Sequence, residues 1–223
     1  RHGCRVVSVG AYLPERVVPV AEAAAKYDVD PEWVSKRTHV LERRFAADDE
    51  TLSGISTKAA QIAIDRAGIR PDEIDLILCG TSTAEFQTPG SAPIIAHALG
   101  ATGAGALDVG AACTGWLGSL ALGSAMIESG RAETVLVIGA EIVSRVLGKD
   151  PGVGLLMGDG AGAVILRRSD PADGGVGPAV IHAEGEYSQH VIIDPGDLED
   201  GRRVLRMRGQ ETYTVAVKSL VEV

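Results

Sequence analysis

Along the first 168 residues, short apolar runs alternate with segments whose apolar residues recur every three or four positions. The runs Arg5–Val9, Asp75–Gly80, Ala106–Ala111, Thr134–Ala140 and Gly162–Leu166 have strand length and are apolar nearly throughout, not at every second position. Strands of that kind are buried on both faces, which calls for a mostly parallel sheet with helices above and below it. The intervening segments supply the helices. Thr51–Ala67 carries Ile55, Ala59, Ile62, Ala63 and Ala67 at helical spacing and stops at Gly68. Ser91–Leu99 stops at Gly100 and Cys113–Ser129 at Gly130, glycine being the residue that takes a left-handed C-cap without a steric penalty. Val20–Tyr27 and Pro31–Arg37 read as shorter helices, the second with Asp30 as N-cap and Pro31 at its first position. Leu41–Ala46 reads as a short strand. The fold class expected is α/β, with a mostly parallel five-stranded sheet covered on both faces.

The texture changes after Arg168. Residues 169–175, Ser-Asp-Pro-Ala-Asp-Gly-Gly, read as a linker. Beyond it, Pro178–Glu184, Val191–Ile193 and Val204–Met207 are expected as strands and Gln210–Val223 as a helix. Two units are therefore expected, at 1–168 and 175–223. The last helix has no C-cap within the chain, so the second unit is expected to be only begun here.

Composition removes several classes of function. The 223 residues hold 21 Lys and Arg against 30 Asp and Glu, a net charge of −9, which disfavours general binding to nucleic acid. No apolar run approaches the ~18 residues of a membrane span, and Arg1–Cys4 lead into a strand-like run without a signal-peptide pattern, so a cytoplasmic protein is expected. Cys4, Cys79 and Cys113 are odd in number and far apart, which fits neither a disulfide framework nor a zinc site. His2, His39, His97, His182 and His190 do not pair at metal-ligand spacing. The stretch Gly158-Asp159-Gly160-Ala161-Gly162 runs on into a strand and not a helix, so it reads as a tight turn and not as a dinucleotide loop. Arg202, Arg203, Arg206 and Arg208 form the densest basic cluster. If 202–208 is a strand, Arg202, Arg206 and Arg208 share a face, which suits phosphate, an acidic protein or plain solvent.

Cys113 is the most informative residue. It lies between a buried strand and a long helix, in Asp108-Val109-Gly110-Ala111-Ala112-Cys113-Thr114-Gly115. A thiol at a helix start meets unpaired N–H groups and the positive end of the helix dipole, which favour thiolate. Its small neighbours leave room for a bulky substrate. The residues alone leave two readings open, a nucleophile or a small buried hydrophobe. Cys4 and Cys79, inside apolar strands, read as buried hydrophobes.

Several segments, in order and at matching spacing, resemble the β-ketoacyl-acyl-carrier-protein synthase III family of the thiolase-like superfamily. They are Gly10-Ala11-Tyr12-Leu13-Pro14, Glu32-Trp33-Val34 with Arg37-Thr38, Leu41-Glu42-Arg43-Arg44, the nucleophile-like Asp108–Gly115, the glycine-rich 158–163, and Met207-Arg208-Gly209-Gln210-Glu211. The resemblance implies two similar halves, each a five-stranded sheet between helices, and places the family's catalytic histidine and asparagine beyond Val223. It implies a decarboxylative Claisen condensation in fatty acid or polyketide initiation. In it Cys113 takes an acyl group from acyl-CoA, and a malonyl thioester on acyl carrier protein supplies the carbanion. It places Trp33 and Arg37 against the CoA adenine and Met207 and Gly209 in the same donor site. Acyl-CoA enters as substrate, and no metal or redox cofactor is required. The loop Gly148–Gly152 lacks the arginine that often completes the adenine clamp, and Lys149 cannot stack as a planar guanidinium does. The family also implies a homodimer in which the loop Ser82–Pro89 closes the partner's acyl tunnel, with either Thr88 where a bulky phenylalanine can stand or, in a shifted loop, the ring of Phe86 in the tunnel. Related enzymes on this scaffold form C–O bonds or condense without decarboxylation. A different class of function is a non-catalytic protein that only binds acyl-CoA or carrier protein.

Overall fold

The computed structural model of the protein describes residues 2–195 and 203–222. In chain order its elements are β1 (Gly3–Tyr12), β2 (Arg16–Pro19), α1 (Val20–Lys26), α2 (Pro31–Thr38), β3 (Glu42–Phe45), α3 (Leu52–Ala67), β4 (Leu76–Gly80), α4 (Ser91–Leu99), β5 (Gly105–Val109), α5 (Gly115–Glu128), β6 (Thr134–Glu141), α6 (Pro151–Gly154), β7 (Gly160–Ser169), β8 (Val191–Pro195), β9 (Arg203–Met207) and α7 (Gly209–Glu222). They fall into two compact units that interleave along the chain. One comprises Arg1–Glu15, Ala46–Ile142 and Asp159–Ile181, the other Arg16–Phe45, Val143–Gly158 and His182–Val223.

The first unit is built on a five-stranded sheet of order β1-β7-β6-β4-β5. β4 pairs in parallel with β5 and with β6, whereas β7 pairs antiparallel with β6 and with β1. β7 thus runs against the other four strands, and the sheet is mixed though mostly parallel. Both faces are covered over β4, β6 and β7, whereas β5, expected to be buried, has no buried residue and leaves Leu107 exposed. On one face Ile77, Leu136, Ile138 and Ile165 meet Ile55 and Ile64 of α3 and Ile95 of α4. On the other, Leu78, Val135, Val137 and Leu166 meet Ile127 of α5.

Capping sets the helix ends. The Thr51 side chain accepts the Gly54 N–H at 3.0 Å, and Gly68 closes α3 at φ 65°. Helix α3 lies directly on β1. A Cβ at Gly10 would stand 2.2 Å from the Ala59 carbonyl oxygen and 2.6 Å from the Ala63 nitrogen, and the Ser8 hydroxyl donates to the Ala63 carbonyl at 2.6 Å.

In the second unit β2 and β3 pair antiparallel, as do β8 and β9. Val18, Ala23, Ala24, Val34 and Leu155 form one small core, and Val143, Leu147, Val153 and Leu205 another. Asp30 caps α2, accepting the Glu32 N–H at 3.0 Å, with Pro31 in its first turn.

Several sequence expectations are corrected. Pro178–Glu184 is not a strand: Val180 and Ile181 are exposed, and among the described residues no neighbouring strand takes up their backbone groups. The pairing partner of the expected strand at Leu41–Ala46 is β2, which the periodicity did not signal. The long helix starts at Gly115 and not at Cys113, because Ala112–Thr114 are drawn into a short 3₁₀ turn. Strand β7 begins at Gly160, inside the expected turn. Of the basic cluster, Arg202 lies outside the described residues, and Arg206 is engaged by the Asp194 carboxylate.

Two glycines of neighbouring strands test the packing argument. Gly10→Ala drives a methyl into α3 backbone and is expected to cost about 1–3 kcal/mol. At Gly162, where nothing lies within 4 Å of an added Cβ, alanine is expected to change stability by less than about 0.5 kcal/mol. Urea denaturation of the two variants compares them directly, and equal losses would contradict the close approach of α3.

Candidate active site

The nucleophile candidate is held by a contact between backbones. β4 and β5 run in parallel register with Gly80 opposite Val109, and α5 begins on top of that pair. A Cβ at Gly80 would stand 2.4 Å from the Gly115 carbonyl carbon, and one at Gly115 would stand 3.3 Å from the Gly80 Cα. Residues 110–114 must therefore carry the chain from the end of β5 back onto β4 within one tight turn. The reversal forces Ala112 to φ 45°, a left-handed conformation that a side-chain-bearing residue adopts at an energetic cost. The Thr114 hydroxyl, donating to the Ala111 carbonyl at 2.8 Å, braces the turn. Cys113 sits at its crest, exposed, between Ala112 and Thr114.

The other two thiols are buried. Burial, reinforced by the Asp108 and Glu141 carboxylates, pushes the Cys79 thiol up to about 12. Burial also raises that of Cys4, partly opposed by a hydrogen bond involving Ser124. Cys113 is the exposed one of the three thiols.

The second unit contains a pocket of about 980 Å³ whose lining includes Val29, Trp33, Arg37, Pro151, Met207 and Tyr213. Gly209, at the start of α7, lies in the same wall. Four residues singled out from the sequence, Trp33, Arg37, Met207 and Gly209, are thus brought together, while Cys113 belongs to the other unit. Trp33 and Arg37 are one helical turn apart on α2, and the guanidinium carbon lies 5.6 Å from the indole centroid, in range for a cation–π contact. The arginine lies over one ring face, and Trp33 as a residue is still 53% exposed. The Gly148–Gly152 loop contributes Asp150, Pro151 and Gly152 to the lining, and none of these is a cation. Tyr213 was not anticipated. Its signal was its position four residues after Gly209, one helical turn along the same face.

His182 stands 3.7 Å from Glu184 on the surface. Among the described residues no group of three or more His, Cys, Asp or Glu side chains could hold a metal ion, and no helix is long and apolar enough to cross a membrane.

The chain is similar to several known proteins. Residues 107–185, which include Cys113, match the family model for 3-oxoacyl-[acyl-carrier-protein] synthase III. A β-ketoacyl-[acyl-carrier-protein] synthase III of Cereibacter sphaeroides is 40% identical over 97% of this chain and 69% of the relative. One of Sulfurovum is 39% identical over 96% of this chain and 66% of its own length. Among solved structures, the priming β-ketosynthase of a polyketide biosynthetic pathway superposes with a TM-score of 0.93 at 34% identity, covering 100% of this chain and 68% of that one. A 3-oxoacyl-[acyl-carrier-protein] synthase III from Aquifex aeolicus gives a TM-score of 0.88 at 34% identity, covering 99% and 70%.

Brief alkylation of the native protein with iodoacetamide at pH 8 is expected to label Cys113 and to spare Cys4 and Cys79. The buried pair stays protonated at that pH because burial disfavours thiolate. Cys79 is expected to react only on unfolding or as the pH rises toward about 12. Peptide mass spectrometry reads the sites, and label on Cys79 with Cys113 bare would contradict the assignment.

Proposed function

Since the chain belongs to the β-ketoacyl-acyl-carrier-protein synthase III family, we propose that Cys113 accepts an acyl group from acyl-CoA for decarboxylative condensation with a malonyl thioester on acyl carrier protein. The observation that carries the reading is an exposed cysteine at the crest of a strained turn between β5 and α5, surrounded by small residues.

The chemistry balances without electron transfer. The Cys113 thiolate adds to the thioester carbonyl, the acyl–sulfur bond to CoA breaks, and the CoA thiolate leaves with the electron pair. In the second half-reaction the malonyl thioester loses carbon dioxide and keeps the bonding pair as an enolate. The enolate attacks the acyl carbonyl on Cys113 and displaces the thiolate, leaving a β-ketoacyl thioester on the carrier protein. No metal or redox cofactor enters these steps. Neither His182 nor His190 is assigned as the base.

Trp33, Arg37, Met207 and Gly209 are the proposed donor-binding residues. The ring face of Trp33 not covered by Arg37 offers a stacking surface for a purine, a contact worth about 1–3 kcal/mol. Residues 1–168 are proposed as the nucleophile-bearing half and 175–223 as the start of a second half.

The protein is proposed to work as a cytoplasmic homodimer. In support, β5 is an edge strand whose Leu107 is 54% exposed, with Leu117 of α5 at 57%. An unpaired, apolar sheet edge is suited to pairing with a second copy.

Incubation with acetyl-CoA is expected to add one acetyl group at Cys113, and Cys113→Ala to abolish it. Trp33→Ala is expected to raise KM for acyl-CoA by about 5- to 150-fold, the equivalent of that stacking energy, with a smaller change in kcat. Acetylation at another residue would overturn the nucleophile, and an unchanged KM would move the donor site elsewhere. Leu107→Lys is expected to shift the protein from dimer to monomer in sedimentation. A wild type that sediments as a monomer would remove the dimer from the proposal.

A further inference from the structure

We propose that Arg5, Arg167 and Arg168 form a binding site for a phosphoryl anion, in a cavity at the end of the five-stranded sheet remote from Cys113. The inference goes beyond acyl transfer and does not depend on it.

The cavity lies wholly in the first unit and has a volume of about 370 Å³. Arg5, Val7, Ala67, Glu133, Arg167 and Arg168 line it. It opens where α3 ends, Ala67 being the last residue of that helix. Val7 and Ile165 pack on the α3 side of the sheet. Arg167, two residues after Ile165, shares that side, and Arg5 stands directly opposite Arg167 on the antiparallel β1–β7 ladder. Side chains in such a pair leave the backbone about 4.5–5.5 Å apart at Cβ. Two guanidinium groups are thus held side by side along one concave wall.

Like charges opposite each other on a ladder cost stability. Among the described residues the side chains of Arg5 and Arg167 have no carboxylate or hydrogen-bond partner, although the chain carries 30 acidic residues against 21 Lys and Arg. Glu133, the one carboxylate of the lining among the described residues, is engaged by Arg168 at 2.8 Å. The negative end of the α3 dipole favours a nearby cation, but Arg66 already occupies the last turn of that helix. A helix end therefore accounts for one cation and not for an opposed pair. An anion seated between the two guanidinium groups converts their repulsion into attraction.

The side chains select the kind of anion. A guanidinium fork matches two oxygens of a phosphoryl group with parallel hydrogen bonds. Two forks facing each other suit an anion with several oxygens and more than one charge, which a phosphate monoester or a diphosphate has and a single carboxylate lacks. The volume falls in the range of small-molecule sites, so a small organic group fits beside the phosphoryl oxygens. The site is separate from the nucleophile. Arg167 lies opposite Thr134, the first residue of β6, whereas Gly139 of β6 is level with Gly80 and Val109, where the Cys113 turn begins. Those five residues span about 17 Å at the rise of a strand.

The experiment is titration calorimetry of the full-length protein with inorganic pyrophosphate, inorganic phosphate and citrate, at a constant ionic strength of about 0.15 M. Pyrophosphate is expected to bind more tightly than phosphate or citrate. Arg5→Gln and Arg167→Gln are each expected to weaken pyrophosphate binding by about tenfold or more, and Arg5→Lys to weaken it less, since the charge stays and the fork is lost. Glu133→Gln, which frees Arg168, is expected to tighten binding by up to about fivefold. Without anion the two glutamine variants are expected to melt no lower than the wild type, because each relieves the like-charge pair, so that weaker binding reports lost charge and not lost fold. If either variant melts lower, the other and Glu133→Gln decide the question. No pyrophosphate binding by the wild type, unchanged binding in the arginine variants, or citrate bound as tightly as pyrophosphate would overturn the proposal. None of these arms involves acylation of Cys113, so the acyl-transfer reading stands or falls apart from them.

Discussion

Two glycines without side chains to hold them apart let β4 and the start of α5 touch backbone to backbone, and much of the first unit follows from that contact. With Gly115 seated on Gly80, the chain leaving β5 has residues 110–114 in which to reverse. The turn that results is tight enough to need a left-handed alanine, and it presents the next side chain, Cys113, to solvent. A β-carbon on either glycine would lift the helix start and relax the turn. The position of the thiol is in this sense a property of the packing beneath it. Trp116, one residue further on, lies over Gly139 of β6 with its ring carbon 2.9 Å from where a Cβ would be. The helix start is therefore seated on two adjacent strands, each by a glycine.

Carboxylates at the ends of the strands do the remaining positioning. Glu141 and Asp108 reach the two ends of the stretch between β4 and α4, and Glu85, within that stretch, reaches Ser53 at the start of α3. Their negative charge has a second consequence. Two of them, Asp108 and Glu141, act with burial to keep the nearby Cys79 protonated. The same unit thus buries two thiols, Cys4 and Cys79, and exposes the third, Cys113.

In the second unit the pocket is assembled from α2, the 148–157 segment and the start of α7. The Asp30 cap and Pro31 fix where α2 begins, and with it the four-residue spacing that lays Arg37 against Trp33. Arg43, a buried residue of β3, donates to the Leu155 carbonyl at 2.9 Å and so steadies a residue of the pocket lining.

The order of elements in the first unit, the helix ends at Gly68 and Gly100, the Asp30 cap and the candidacy of Cys113 were all legible in the sequence. They depend on local rules: apolar periodicity, left-handed glycines and side chains that cap their own helix. What the sequence could not show depends on residues far apart in the chain. The antiparallel course of β7 follows from its pairing with both β1 and β6, and a run of apolar residues carries no direction. Strand β2 has meaning only beside β3, and the expected strand at Pro178–Glu184 fails for want of a neighbour. The left-handed Ala112 and the exposure of Cys113 come from Gly80 meeting Gly115, and the hydrogen bond from the Ser82 N–H to Glu141 joins residues nearly sixty positions apart. Sequence alone therefore determined most of the helices and strands of the first unit and which residues are candidates for chemistry. The tertiary structure decided how those residues are aimed, because close backbone approach and long-range hydrogen bonds exist only once the sheet has formed.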